Sequence, residues 1–122
     1  MFERLAEIPP YNEDIEEPEP VVALRASIAF ADVVLVATPE YNGSVPGQLK
    51  NALDWASRPF PDNTLRNKPV AVIGASTGLF GALWAQAELR KVLTTIGARV
   101  LERELPVGQA HQAFDSDDRL VD

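Results

Sequence analysis

An α/β fold with a parallel sheet is what this sequence predicts, and three observations carry the expectation. The runs Ala31–Ala37 and Pro69–Gly74 are rich in β-branched and aliphatic residues and do not alternate with polar ones. Such runs mark strands buried on both faces, as in a parallel sheet covered by helices. Between and around them lie segments whose apolar residues recur every three or four positions. The resulting order, α-β-α-β-α-β, is the alternation that builds a parallel sheet with helices on both faces.

Each element can be justified in turn. Residues 8–20, with four prolines and five acids, predict an extended surface loop. Val21 to Phe30 carries Val21, Leu24, Ala26 and Ile28 on a loosely helical pattern and predicts a short amphipathic helix. The first strand follows, then a loop over residues 38–45. Pro46 suits the first turn of the next helix, with Ser44 or Val45 as its boundary. That helix, about 46–57, places Leu49, Ala52, Leu53 and Ala56 on one face. A second loop spans residues 58–68. The strand Pro69–Gly74 then begins with a proline, where the missing N–H does least harm. A glycine-bearing turn leads into a long helix from about Gly81 to Ile96, with Gly97 placed as its C-terminal cap. Arg99 to Glu104 predicts a third strand, and Gly108 to Asp122 a polar tail.

Composition excludes several function classes. The 122 residues suit one domain, and 46% apolar against 24% charged residues is ordinary for a globular chain. There is no cysteine, so disulfide scaffolds, thiolate metal sites and cysteine nucleophiles are excluded. A single histidine, His111, permits neither a His-rich metal cluster nor a Ser-His-Asp triad of any credibility. The longest apolar run falls far short of the roughly 20 residues of a membrane span. The acidic N-terminus has no signal-peptide shape, and a cytoplasmic location is expected. The net charge is −7, with −6 in residues 1–20 and −3 in residues 111–122. The middle is therefore mildly positive, which suits one small anionic ligand, whereas the chain as a whole would be repelled by nucleic acid.

Ligands of open parallel sheets bind at the carboxyl ends of the strands, and two loops stand there. The first, Thr38–Val45, concentrates Pro39, Glu40, Tyr41, Asn42, Gly43 and Ser44. Proline stiffens it, glycine admits close approach of a ligand, and Tyr41 offers an aromatic face. The second, Ala75–Phe80, offers Ser76, Thr77 and Gly78 ahead of a helix, with hydroxyls and backbone amides. Two such loops after neighbouring strands would line a flat slot suited to a planar aromatic cofactor. The same residues are also what ordinary turns contain. The spacing Gly74-x-x-x-Gly78-x-x-Gly81 imitates a dinucleotide fingerprint but does not match it, and no Walker loop is present.

The run Pro39-Glu40-Tyr41-Asn42-Gly43-Ser44, followed by Pro46-Gly47, Leu49-Lys50-Asn51-Ala52 and Asp54-Trp55, resembles the signature of the NADPH-dependent FMN reductases. That family includes flavodoxin-like quinone, azo-dye and chromate reductases. Lys68-Pro69-Val70, Gly74-Ala75-Ser76, Gly78, Gly81 and Gln86…Leu89-Arg90 resemble the second part of its pattern. The resemblance implies a flavodoxin-like three-layer α/β/α sandwich with a parallel sheet, present only in part, over residues 1–122. It implies FMN and NADPH as cofactors, with hydride passed to a quinone, azo, metal-oxyanion or flavin acceptor. Pro39 to Ser44 and Ser76, Thr77 and Gly78 would contact the flavin, and no catalytic acid, base or metal is implied. The helix bearing Lys50, Asn51, Asp54 and Trp55 would help form a homodimer or tetramer. By itself, the Lys50–Asp54 spacing also reads as a surface i,i+4 pair.

The resemblance has one departure. The family opens with a Gly-Ser-x-Arg and Ser-x-Asn type loop for the FMN phosphate, and no such segment occurs in these 122 residues. This chain would begin near the end of the family's second strand, at Phe2–Leu5, as a fragment or from an internal methionine. The alternative function is a flavodoxin-like remnant that does not bind FMN and serves as an interaction module.

Overall fold

A computed structural model describes residues 1–121. A 3₁₀ turn at Leu5–Glu7 precedes α1 (Glu19–Phe30), β1 (Val34–Ala37), α2 (Gly47–Ala56), β2 (Pro69–Ala75), α3 (Leu83–Ile96), β3 (Arg99–Val100), β4 (Pro106–Val107) and α4 (Ala110–Ala113). The sheet is parallel throughout, with β2 central: β1 pairs on one side, and β3 and β4 on the other.

The boundaries moved where proline and glycine chemistry moved them. α1 starts at Glu19, inside the segment expected to be a loop, because Pro20 sits in the first turn, where proline needs no N–H. Pro46 is the N-cap of α2 rather than its first turn. Ala82, with φ of 61°, delays α3 to Leu83, and Gly97, with φ of 114°, ends it as expected.

The third strand is broken. Arg99 pairs with Pro69 and Pro106 with Gly74, which leaves this edge two residues longer than β2 between the two pairings. The surplus leaves the ladder after Leu101, whose N–H still reaches the Val70 carbonyl at 2.8 Å. The Gln86 side chain then takes the place of a strand partner. Its amide donates to the Leu105 carbonyl (3.2 Å) and to the Gly81 carbonyl (2.9 Å), and its oxygen accepts from the Leu105 N–H at 3.4 Å. The expected polar tail also has structure: α4 and a bridge between Phe114 and Leu120.

The core lies on one face of the sheet. Val34 and Val36 of β1 and Val70 and Val72 of β2 share that face with Val21, Leu24 and Ile28 of α1, Leu53 and Trp55 of α2, and Leu89, Leu93 and Ile96 of α3. Each such side chain removed from water contributes about 1.5–3 kcal/mol before entropy is counted. The alternating residues point the other way, and Val33 and Leu35 are 60% and 62% exposed. The expectation that the first strand is buried on both faces is thus corrected. Among the described residues the three long helices all pack on the valine side, so β1 alternates between half-buried and exposed positions.

The acidic N-terminal segment is pinned by α2. The Trp55 indole and the Asn51 amide both donate to the Pro9 carbonyl at 2.8 Å, and Asn51 accepts from the Tyr11 N–H at 2.8 Å. Tyr11 packs edge-on against Trp55 with ring centroids 4.9 Å apart.

Candidate functional site

The two loops expected to carry function leave the same edge of the sheet, from adjacent parallel strands. Ala37 is opposite Ile73, and the Thr38 N–H continues the ladder to the Ile73 carbonyl at 3.0 Å. A methyl group added at Gly74 would lie 2.9 Å from the Thr38 carbonyl oxygen and 2.9 Å from the Ala82 side chain. Only glycine therefore lets the two strand ends and the start of α3 come this close.

The first loop is a miniature hairpin. Tyr41 and Ser44 exchange both backbone hydrogen bonds, at 2.9 and 3.1 Å, around Asn42 and Gly43. Both central residues have positive φ, 54° and 76°, the conformation for which Asn-Gly is the preferred pair. Conformation therefore accounts for this pair whatever it binds. Tyr41, Asn42 and Gly43 are exposed at the tip. Two side chains of the loop turn inward instead. Glu40 Oε1 accepts from the Ala85 N–H at 2.9 Å, and Ser44 Oγ donates to Glu88 Oε2 at 2.5 Å.

The second loop is held by the segment after it. The Ser76 N–H donates to the Val107 carbonyl (3.0 Å), and the Ser76 carbonyl accepts from Ala110 (2.8 Å). The Gly78 carbonyl accepts from the Gln109 N–H at 2.7 Å. The Ser76 amide is thus engaged within the protein, whereas Thr77 and Gly78 are exposed. Gly81, with φ of +57°, packs so tightly on β4 that a Cβ would sit 2.5 Å from the Val107 nitrogen. Gly78 differs from both Gly74 and Gly81. Its φ is not in the left-handed range, and a Cβ there would meet only Ser76 Oγ, at 3.5 Å. Neither backbone strain nor internal packing demands glycine at that position. A flat ligand resting on the loop would demand it, and the exposed peptide edges, hydroxyls and aromatic ring around it suit a neutral polycyclic ring.

Phe80 and Trp84 flank this mouth, edge to face at 5.0 Å and about half exposed. A groove of about 440 Å³ runs between α2 and α3 and is lined by Lys50, Asp54, Phe60, Glu88, Lys91 and Thr95 among others. Lys50 and Asp54 form an i,i+4 ion pair at 2.7 Å on its rim. Asn51 and Trp55 hold the N-terminal segment. Sequence reasoning missed the β4–α4 segment as the support of the second loop, and Gln86 as the link behind it. The available signal was a glutamine on the apolar stripe Leu83, Gln86, Leu89, Leu93 and Ile96.

Two loops leaving one edge of a parallel α/β sheet are the architecture found here, and comparison with known proteins gives its family. The model of the NADPH-dependent FMN reductase family matches residues 1–112, and the chain belongs to that family. An NAD(P)H-dependent FMN reductase of Pseudomonas aeruginosa is 46% identical over 119 residues, covering 94% of this chain and 64% of that protein. A quinone reductase of Escherichia coli is 44% identical over 103 residues, covering 81% of this chain and 54% of its own length. The structure of FerB, a flavoenzyme NAD(P)H:(acceptor) oxidoreductase from Paracoccus denitrificans, superposes with a TM-score of 0.84 at 41% identity, over 97% of this chain and 66% of that one. This chain thus spans between about half and two thirds of the length of these relatives. The flavodoxin-like α/β fold expected from the signature is the fold found, and the family's cofactors are FMN and NAD(P)H. No helix among the described residues is long and apolar enough to cross a membrane.

Proposed function

We propose that residues 1–122 are one flavodoxin-like domain, part of an FMN-dependent NAD(P)H oxidoreductase that acts in the cytoplasm. Gly78 carries the reading: it is an exposed glycine at the mouth of the site that the fold itself does not require. FMN, when bound, supplies the chemistry, taking hydride from NADPH and delivering it to a small acceptor. The chain's own part is positional. Tyr41, Asn42 and Gly43 at one side and Thr77 and Gly78 at the other would bracket the ring, with Pro39 fixing the entry of the first loop. Ser76 would contribute its hydroxyl, since its amide is engaged with Val107. Relatives named quinone reductases support a quinone as the acceptor class. The α2 face bearing Lys50 and Asp54, beside the groove against α3, is the surface proposed for homo-oligomer contact.

Titration of FMN with the 122-residue chain, followed by quenching of flavin fluorescence, tests this reading. Saturable quenching, lost in Gly78→Val, is the expected outcome. A chain that neither quenches FMN nor turns yellow with it would support the alternative of a non-enzymatic interaction module. The exposed Val33 and Leu35 on the open sheet face favour that second reading.

A further inference from the structure

We propose that Glu40 is a positioning residue that latches the first loop to the amino end of α3, rather than a contact to the flavin ring. The inference rests on the function proposed above, because the loop being positioned is the one assigned to FMN.

The first N–H groups of a helix have no partner within the helix and need one from outside. In α3 the N-cap residue is Ala82, whose methyl group accepts nothing. Glu40 supplies the missing acceptor from 45 residues away: its Oε1 receives the N–H of Ala85, the third residue of the helix, at 2.9 Å. A carboxylate is the favoured group there, since the amino end of a helix is electropositive. Ser44, at the other end of the same loop, donates to Glu88, three residues further along α3. Residues three apart lie on one helical face. Both shoulders of the loop are therefore tied to one face of α3, and the Tyr41–Ser44 bridge closes the hairpin between them.

The consequence for the site is geometric. Because α3 begins directly after the second loop, fastening the first loop to α3 fixes the spacing between the two loops. Glu40 and Ser44 turn inward, and Tyr41, Asn42 and Gly43 are left as the outward-facing edge. The carboxylate also occupies the place an anion would take at that helix end. The loop pair is thereby left to meet a neutral ring rather than a phosphate.

Glu40→Ala and Glu40→Gln separate the latch from a ligand contact. Glutamine keeps an acceptor oxygen at the same reach and loses only the charge. Backbone amide exchange at Ala85, read by NMR on the chain without cofactor, should quicken about tenfold in Glu40→Ala and change by less than about threefold in Glu40→Gln. FMN affinity should follow the same order, weakening about tenfold with alanine and being largely rescued by glutamine. Unchanged Ala85 exchange in Glu40→Ala would overturn the latch. So would a glutamine variant that protects Ala85 yet binds FMN as poorly as alanine, since that marks a direct contact. If Glu40→Ala does not fold, Glu40→Asp replaces it: one methylene shorter, it should lose the Ala85 protection that glutamine keeps, and equal protection refutes the latch. A wild-type chain that binds no FMN would count against the proposed function, while the exchange measurement still decides the latch.

Discussion

The two loops at the mouth of the sheet are built on opposite principles. The first holds its shape largely by itself, through a two-residue Asn-Gly turn and a closed backbone bridge, with Glu40 and Ser44 as tethers. The second has no such internal bridge. It is shaped by residues about thirty positions later, where Val107, Gln109 and Ala110 engage Ser76 and Gly78, and by Gly81 pressed onto β4. A loop of the first kind announces itself in a short stretch of sequence. A loop of the second kind is defined by a contact that exists only once the chain has folded back.

The comparison implies that damage to the second loop should spread through the fold, whereas damage to the first should remain local. The largest effect is expected for Gly81→Ala. A Cβ there meets the backbone at 2.5–2.7 Å and demands a left-handed alanine, so unfolding in urea should show a loss of about 2–4 kcal/mol. Gln86→Leu comes next. Its apolar replacement leaves the Gly81 and Leu105 carbonyls without their donor, and a loss of about 1–3 kcal/mol in thermal unfolding is expected. A leucine variant as stable as wild type would show that the broken edge strand finds its own partners.

The smallest effect on stability belongs to the first loop. Asn42→Ala should cost about 1 kcal/mol, because alanine resists the φ of 54° that asparagine tolerates. Asn42→Gly should restore that stability and still lack the side-chain amide. If that amide reaches the flavin, both variants bind FMN about 1–2 kcal/mol more weakly. Should the glycine variant bind FMN as wild type does, Asn42 serves the turn alone.

What could be read from the sequence follows the same division. Helices α1, α2 and α3 were legible in their three- and four-residue spacing, and Gly97 in its place at the end of α3, because these signals are local. The six-residue signature was legible as a mark of the family, and its members read alike, whereas in the fold Glu40 and Ser44 turn toward α3. Nothing in Pro-Glu-Tyr-Asn-Gly-Ser tells which side chains point outward. That depends on where α3 packs, 45 residues away. Trp55 and Asn51 are a similar case, since their partner is the carbonyl of Pro9.

The sequence by itself determined the α/β alternation, the parallel pairing it requires, the family signature and the Asn-Gly turn. Each of these depends on residues within one or two turns of one another, where spacing and backbone preference decide the outcome. Tertiary structure alone decided that the third strand would break at Leu101, that Gln86 would bridge the break, and that β4 would form the wall of the second loop. It also decided that β1 would leave Leu35 open on one face. The physical reason is common to all of these. A buried polar group or an apolar face takes whatever partner the packed chain brings to it, and that partner is not encoded beside it.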